Sequence, residues 1–339
     1  MSIFKQKLGM DLGTNEIVIY IPGKGVVLRE PTVIAVSLND KKILAFGAEA
    51  KEMLGKMPES IGAIKPIKEG AISDYKMTVK MITHYINKSL GRYSFFKPEI
   101  IVSVPSSISG TERRAVMEAV LEAGAKEVYV VKEPVLSAVG SGVPIHEPIG
   151  RMIMNVGAGT TDIAVISLGG VVFSKSVKVG GNKMDSSIIN MVREKHKTVI
   201  GDRSAEMIKI SIGGAMHKKT DSAAKVKGRD FETGQPQEII ITKNEVVDAL
   251  MPDLEEIIKA ARDVFSETPP ELASDIMDNG ILLSGGGALL HNLGEFLEKR
   301  LHIPATVVEE PKLSVTYGMG VILDHIDFYK RAVVSKKAQ

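Results

Sequence analysis

The chain has 339 residues, more than one hydrophobic core ordinarily serves, so two domains are expected, and its 44% hydrophobic and 25% charged content is that of a globular protein. A net charge of +2 gives no general electrostatic case for nucleic acid, and the absence of cysteine excludes disulfides and thiolate metal sites. Residues 1 to 7 are too short and too charged for a signal peptide, and no apolar run approaches the roughly 20 residues of a spanning helix, so the expected compartment is the cytoplasm.

Gly9 to Tyr20 reads as an apolar strand, a tight polar turn at Gly13-Thr14-Asn15 and a second strand. Residues 76 to 89 set Met77, Met81, Ile82, Tyr85 and Ile86 on one helical stripe. Glu99 to Val104 is a buried strand that ends in a Pro-Ser-Ser turn, and the next helix opens with a capping box, Ser109 and Glu112. Glu127 to Val131 is again a strand, and Met154 to Ile166 repeats the strand, turn and strand of the N-terminus. The polar stretch 217 to 237 reads as a surface excursion or linker. After it come the strand Ile239 to Ile241 and a helix to about Phe265 that Pro252 is expected to interrupt. A strand at 281 to 284, the turn Gly285-Gly286-Gly287, a helix to about Arg300 and the strand Thr306 to Val308 close the pattern. Short β-branched runs alternating with helical stripes predict an α/β fold.

The two similar turns carry the chemistry. Each has small residues where backbone N–H groups approach an anion closely, with one short polar side chain beside them, Asp11 in the first and Asn155 in the second. Two such hairpins facing each other would clasp a chain of phosphates, which predicts a nucleotide held between two related halves. The glycine triplet lets the backbone pass flat against a purine or a phosphate, at the start of a helix.

In this order Asp11-Leu12-Gly13-Thr14, Val104-Pro105-Ser106, Glu133-Pro134, Gly157 to Thr161 and Gly285-Gly286-Gly287 resemble the motifs of the actin-like ATPases. Within that superfamily the chain is similar to the MreB-type bacterial actins along nearly its whole length, most closely over Gly23 to Pro31, Ala164 to Gly170 and Thr268 to Asp278. The resemblance implies an actin-like α/β fold, two duplicated ribonuclease-H-like domains with smaller inserted subdomains around a nucleotide cleft. Domain I would span 1–145, with 316–339 returning to it and a small subdomain at about 31–75; domain II would span 146–315, with a small subdomain at about 180–243.

The same resemblance implies ATP or ADP with Mg2+ as cofactors. Asp11, Gly13, Thr14 and Asn15 would form the first phosphate turn, with Asp11 holding the metal through water. Asn155, Gly157, Gly159, Thr160 and Thr161 would form the second, Gly285, Gly286 and Gly287 would line the adenosine, and Glu206 and Lys209 would face the ribose and base. For those last two, a solvated ion pair on a helix surface is the competing expectation. Glu133 matches the family's water-positioning glutamate, and Thr161 joins it as a catalytic candidate. Implied partners are further copies of the chain in double protofilaments, paralogous filament proteins, and the inner face of the cell membrane, reached through Ile3, Phe4, Phe95 and Phe96. The basic residues Lys330, Arg331, Lys336 and Lys337 add a second candidate lipid contact.

Departures from the family pattern cluster at the nucleotide. Asn155 replaces an aspartate, Lys132 replaces an acidic residue, Asn182 replaces an aspartate, Ala158 replaces a turn glycine, and Glu16 and Ile17 replace an asparagine and a threonine. Three of these remove negative charge, so ATP binding with slow hydrolysis is expected. The pattern resembles the divergent copies of wall-less helical bacteria, where such filaments are linked to cell shape and swimming. A small-molecule kinase on the same ATPase core is the alternative, although no insert shapes an acceptor pocket; a heat-shock type chaperone would need a further peptide-binding domain.

Overall fold

The computed structural model describes residues 6–54, 58–91, 96–218 and 222–338. They form two compact units, one of Met1–Pro148, Ile166–Val171 and Leu313–Gln339, the other of Ile149–Val165 and Val172–Lys312. The main sheet of the first unit runs, in spatial order, Val334–Lys337, Glu127–Lys132, Glu99–Val104, Lys7–Leu12, Glu16–Ile21 and Gly25–Pro31. That of the second runs Ala305–Val307, Ile281–Ser284, Arg151–Val156, Thr161–Ser167 and Gly170–Val177.

Without the C-terminal strand Val334–Lys337, the two orders are the same. In each unit three consecutive strands form a meander, and the first of them also pairs in parallel with a later strand, which has a second parallel neighbour. Parallel strands are covered on both faces, which is why every residue of Glu99–Val104 is buried and why the strand reads as an unbroken run rather than an alternation. The repeat seen in the two turn sequences is therefore a repeat of whole sheets.

Helices cover these sheets by their apolar stripes. Tyr75–Leu90, capped by Asp74 accepting from the Met77 N–H, buries Met81, Ile82, Tyr85 and Ile86. Gly110–Glu122 opens with the predicted capping box of Ser109 and Glu112. Glu133–Gly140 packs backbone to backbone on Ser314–Asp324: a Cβ on Gly140 would lie 1.8 Å from the Ser314 carbonyl oxygen, and one on Gly318 would lie 1.9 Å from that of Leu136. Ser137 and Ser314 share a buried hydroxyl hydrogen bond of 2.8 Å at the same crossing. This contact seats the helix that Glu133 opens.

Three sequence expectations are corrected. The stretch 217–237 holds the strand Ala223–Asp230, which forms a hairpin with Pro236–Thr242 in a three-stranded sheet. Only Val226 of its first strand is buried, so the strand carries almost none of the apolar signal from which strands are read. Pro252 lies inside one continuous helix, Lys243–Ser266, rather than interrupting it. Proline there removes a hydrogen bond at a cost of about 3 kcal/mol, but Val246, Val247, Leu250, Leu254, Ile257, Ile258 and Val264 bury a stripe on both sides of it. The glycine triplet does not start an α-helix: it enters a 3₁₀ turn, Gly286–Leu289, and the helix begins at Leu293.

The caps Ser109 and Thr242 stand in different units, each accepting from the N–H three residues on, of Glu112 and Glu245. Replacing either by alanine is expected to lower stability by about 1 kcal/mol, and the two losses are expected to add, because the sites share no partner. Urea unfolding of the single and double variants measures both.

Candidate functional site

The first turn is held at both ends. A Cβ on Gly13 would lie 2.7 Å from the Glu16 carbonyl oxygen, so only glycine closes the turn this tightly. Thr32 donates its hydroxyl to the Gly13 carbonyl at 2.8 Å and its N–H to the Asn15 carbonyl at 2.9 Å, and the Thr14 hydroxyl accepts from the Gly70 N–H at 3.1 Å. Glu16, one of the departures from the family pattern, is ion-paired with Arg29 at 2.7 Å on the surface. Asp11, one residue before the end of Lys7–Leu12, accepts a hydrogen bond from the Ser103 hydroxyl at 2.7 Å, and Ser103 accepts from the Leu12 N–H at 3.3 Å. Burial pushes the Asp11 carboxyl above the usual carboxylate range, the Ser103 hydrogen bond opposes this, and the charge of Glu16 adds to it.

Asn155 has the same place in the second unit. It stands one residue before the end of Arg151–Val156, is 3% exposed, and its Oδ1 accepts from the Ser284 hydroxyl at 3.2 Å. In both units the serine lies on the parallel neighbour: Asn155 is in register with Ser284, and the pairing of Met10 with Val102 brings Asp11 level with Ser103. The sequence reading did not single out either serine. Its signal was a lone polar residue near the end of an apolar run, Val102-Ser103-Val104 and Leu283-Ser284.

The second turn is built against the N-terminus of the helix Gly181–His196. The Gly157 N–H donates to the Thr160 carbonyl at 2.8 Å, and the carbonyls of Gly157 and Ala158 accept from the N–H groups of Gly181 and Asn182 at 3.0 and 2.9 Å. A Cβ on Gly180 would meet both carbonyl oxygens at 2.7 Å. The positive end of a 16-residue helix thus stands behind this turn, to which the half-buried Gly159 belongs, and favours an anion there. Thr160 donates its hydroxyl to Asp162 at 2.9 Å, and the fully buried Thr161 donates its hydroxyl to the Val179 carbonyl at 2.7 Å, so both threonines brace the turn.

The three glycines divide. A Cβ on Gly285, whose φ is +81°, would lie 2.3 Å from the Val156 carbonyl oxygen and 2.7 Å from Asn155 Oδ1, and one on Gly287 would lie 2.3 Å from Val156 Cγ1. Nothing lies within 4 Å of a Cβ on Gly286. The outer two glycines are required by the fold, and the middle one faces open space where a ligand can lie. Lys209 pairs with Asp185 at 2.8 Å, both side chains largely buried, rather than with Glu206 in a solvated surface pair. Burial raises the Asp185 carboxyl above its usual range, Lys209 opposes this, and the charges of Glu206 and Asp202 reinforce it.

Glu133 opens the helix Glu133–Gly140 behind Lys132 at the N-cap, where the helix dipole favours a carboxylate. Among the described residues no group of three or more His, Cys, Asp or Glu side chains is placed to hold a metal ion by itself. A magnesium ion that travels with a nucleotide needs only one or two carboxylates and keeps its waters, and Asp11, tied through one oxygen to Ser103, fits that role. Of the membrane candidates, Phe96 is 51% exposed, whereas Ile3, Phe4 and Phe95 lie outside the described residues. No described helix is long and apolar enough to cross a membrane.

The family model described as MreB/Mbl protein matches residues 5–331. The chain belongs to the MreB/Mbl family. It is 41% identical over 325 residues to the cell shape-determining protein Mbl of Bacillus cereus, covering 96% of this chain and 98% of that one. It is 41% identical over 333 residues to the cell shape-determining protein MreB of Escherichia coli, covering 96% of each. Its fold superposes on MreB5 of Spiroplasma citri, with a TM-score of 0.90 for the structure bound to ADP and 0.91 for that bound to AMPPNP. Those comparisons give 31% and 30% identity, cover 95% and 96% of this chain, and cover 97% of the MreB5 chain in each case. The fold of this MreB/Mbl member is therefore the actin-like one, and the kinase alternative finds no support among these relatives.

Gly287→Ala is expected to destabilise the chain by about 1–3 kcal/mol, the scale of an overpacked core, whereas Gly286→Ala is expected to change stability by less than about 0.5 kcal/mol, as at an open site. Thermal or urea unfolding of the two variants checks the division.

Proposed function

We propose that this MreB/Mbl member binds ATP or ADP with Mg2+, hydrolyses ATP slowly, and assembles into double protofilaments on the inner face of the cell membrane, where it governs cell shape or motility. One observation carries the reading: a serine-held polar side chain ends the central strand of each sheet beside a tight glycine turn, Asp11 with Ser103 and Asn155 with Ser284. The Spiroplasma citri relative bound to ADP and to AMPPNP supports the nucleotide, and membership of a family of cell shape-determining proteins supports the filament. Asp11, Gly13, Thr14 and Asn15 then serve one part of the phosphate chain and Gly157, Gly159, Thr160 and Thr161 another, with Gly286 against the adenosine. Magnesium would supply charge neutralisation on the phosphates, and Asp11 would hold it through water.

Slow hydrolysis follows from the charges. Glu133 remains to orient the attacking water, but Lys132 stands beside it in the chain, and Asn155 offers an amide oxygen where a carboxylate would attract the metal and its waters. An aspartate at 155 would face the hydroxyl of Ser284, as Asp11 faces that of Ser103 in the other unit. Asn155→Asp and Lys132→Glu are therefore expected to raise phosphate release by roughly a hundredfold, the lower end of what a positioned proton-transfer group contributes. Phosphate release of the purified variants measures this; fast turnover of the unaltered chain, unchanged by either reversal, rules the proposal out.

Membrane association rests on the half-exposed Phe96 and on the apolar residues the resemblance assigns beside it. Changing Phe95 and Phe96 to serine is expected to weaken the affinity for anionic liposomes by about a hundredfold or more, since each buried ring contributes about 1.5–3 kcal/mol. Undiminished co-sedimentation removes Phe95 and Phe96 as the anchor. Electron microscopy with ATP, ADP and AMPPNP tests assembly itself.

A further inference from the structure

The strands Ile43–Phe46, Ile34–Ser37 and Ile61–Ile64 form a small sheet of their own in the first unit, and the helix Gly47–Met53 packs on it through Val33, Ala35, Ala45 and Ala50. One carboxylate ties this piece to the main sheet and its covering helix. Glu30, in the edge strand Gly25–Pro31, accepts from the Ala48 N–H at 2.9 Å on one oxygen and from the Lys88 ammonium at 2.6 Å on the other. Ala48 stands in the first turn of Gly47–Met53, and Lys88 in the last turn of Tyr75–Leu90. Gly47 makes the approach possible: its φ is +62°, and a Cβ there would lie 2.4 Å from Glu30 Oε2 and 2.5 Å from the Tyr85 hydroxyl. One turn before Lys88, His84 lies on the ring of Phe46, the N-cap residue of Gly47–Met53, with centroids 4.3 Å apart and planes 15° from parallel. Tyr85 meets both rings edge-on, at 5.1 Å from His84 and 6.3 Å from Phe46.

Histidine is the side chain here whose charge changes near neutral pH. Partial burial disfavours the charged form of His84 and Lys88 adds to this, while Glu30 and Glu49 oppose them, so the ring takes up a proton below the ordinary histidine value of 6.5. Burial would raise Glu30, but the hydrogen bonds from Lys88 and Ala48 outweigh it and hold the carboxyl below its ordinary 4.5. What His84 contributes is therefore present above pH 6.5 and lost as pH falls through its lowered value, whereas the contribution of Glu30 lasts to below pH 4.5. We propose that His84 and Phe46 form a pH-sensitive catch: neutral His84 keeps Gly47–Met53 and its sheet seated on Tyr75–Leu90, and charged His84 lifts off while Glu30 still holds both helices. Acidification then loosens one side of the joint without unfolding it.

The test follows the His84 ring and the methyl groups of Ala45, Ala48 and Ala50 by NMR of the full chain between about pH 8 and 5. Compared with it are His84→Phe, which keeps a stacked ring without a titrating group, and His84→Gln, which removes both. In the unaltered chain the ring is expected to titrate with a midpoint below 6.5, and the three methyl signals to shift with that same midpoint. In His84→Phe they are expected to stay fixed over this range, and in His84→Gln to stand near their acid positions already at pH 7.5. Three results overturn the proposal. Methyl signals that shift in His84→Phe as they do in the unaltered chain assign the response to another group. Methyl signals that stay fixed while His84 titrates show that the ring holds nothing. A His84 midpoint at or above 6.5 means that charge tightens the stack, so that acid would close the catch.

Discussion

A serine hydroxyl on one parallel strand holds the side-chain oxygen at the end of the next, once in each unit, and the turns that follow start from that contact. Ser103 donates to Asp11 and Ser284 donates to Asn155. A single hydrogen bond of this kind contributes only about 1 kcal/mol net, but leaving a buried polar atom without one costs about 1–3 kcal/mol, so the serine is a strong constraint on which way Asp11 or Asn155 points. Once that oxygen is fixed, the backbone beside it is crowded. Gly285 passes so near Asn155 and Val156 that no side chain fits, and Gly180 is pressed in the same way on the carbonyls of Gly157 and Ala158.

The repeat was legible in the sequence because its parts are of two readable kinds: apolar runs long enough to be strands, and glycines at fixed places in the turn between them. The same logic made the stripe of Tyr75–Leu90 and the capping box of Gly110–Glu122 readable in advance. What escaped were features whose cause lies in another part of the chain. Ser103 is unremarked in its strand until Asp11 is brought beside it from 92 residues away, and Ser284 until it meets Asn155 from 129 residues away. Pro252 ends a helix by local rules, yet apolar contacts on both sides of it carry the helix through. In Ala223–Asp230 the strand is set by its ladder with Pro236–Thr242, since its less exposed alternate positions are Ala224, Val226, Gly228 and Asp230, of which only Val226 carries a large apolar side chain.

The glycine triplet shows how far sequence alone can go. Three identical residues suggest one shared purpose, but their surroundings differ: Gly285 and Gly287 are held against Val156, and Gly286 meets nothing. Two of them are explained by packing, so only the third needs a ligand to account for it. Glu206 and Lys209 separate in the same manner. Three residues apart on one helix, they invite a common role or a mutual ion pair, yet the lysine belongs to Asp185 and to the neighbouring helix.

The difference between Asp11 and Asn155 is then a difference in what burial costs. Asp11 is a carboxyl whose charged form is disfavoured by its surroundings and relieved by one hydroxyl, so a cation close by would stabilise it considerably. Asn155 sits at 3% exposure with the same kind of donor and carries no charge to be relieved. It accepts from its serine at 3.2 Å, against 2.7 Å for Asp11, and costs less to bury, but it gives a cation no ionic reason to approach. An amide at this position therefore keeps the geometry of a binding turn while giving up the field that draws metal-bound water toward a phosphate. On the proposed reading, binding and hydrolysis, which one carboxylate would serve together, would be separated at this position by an exchange of oxygen for nitrogen.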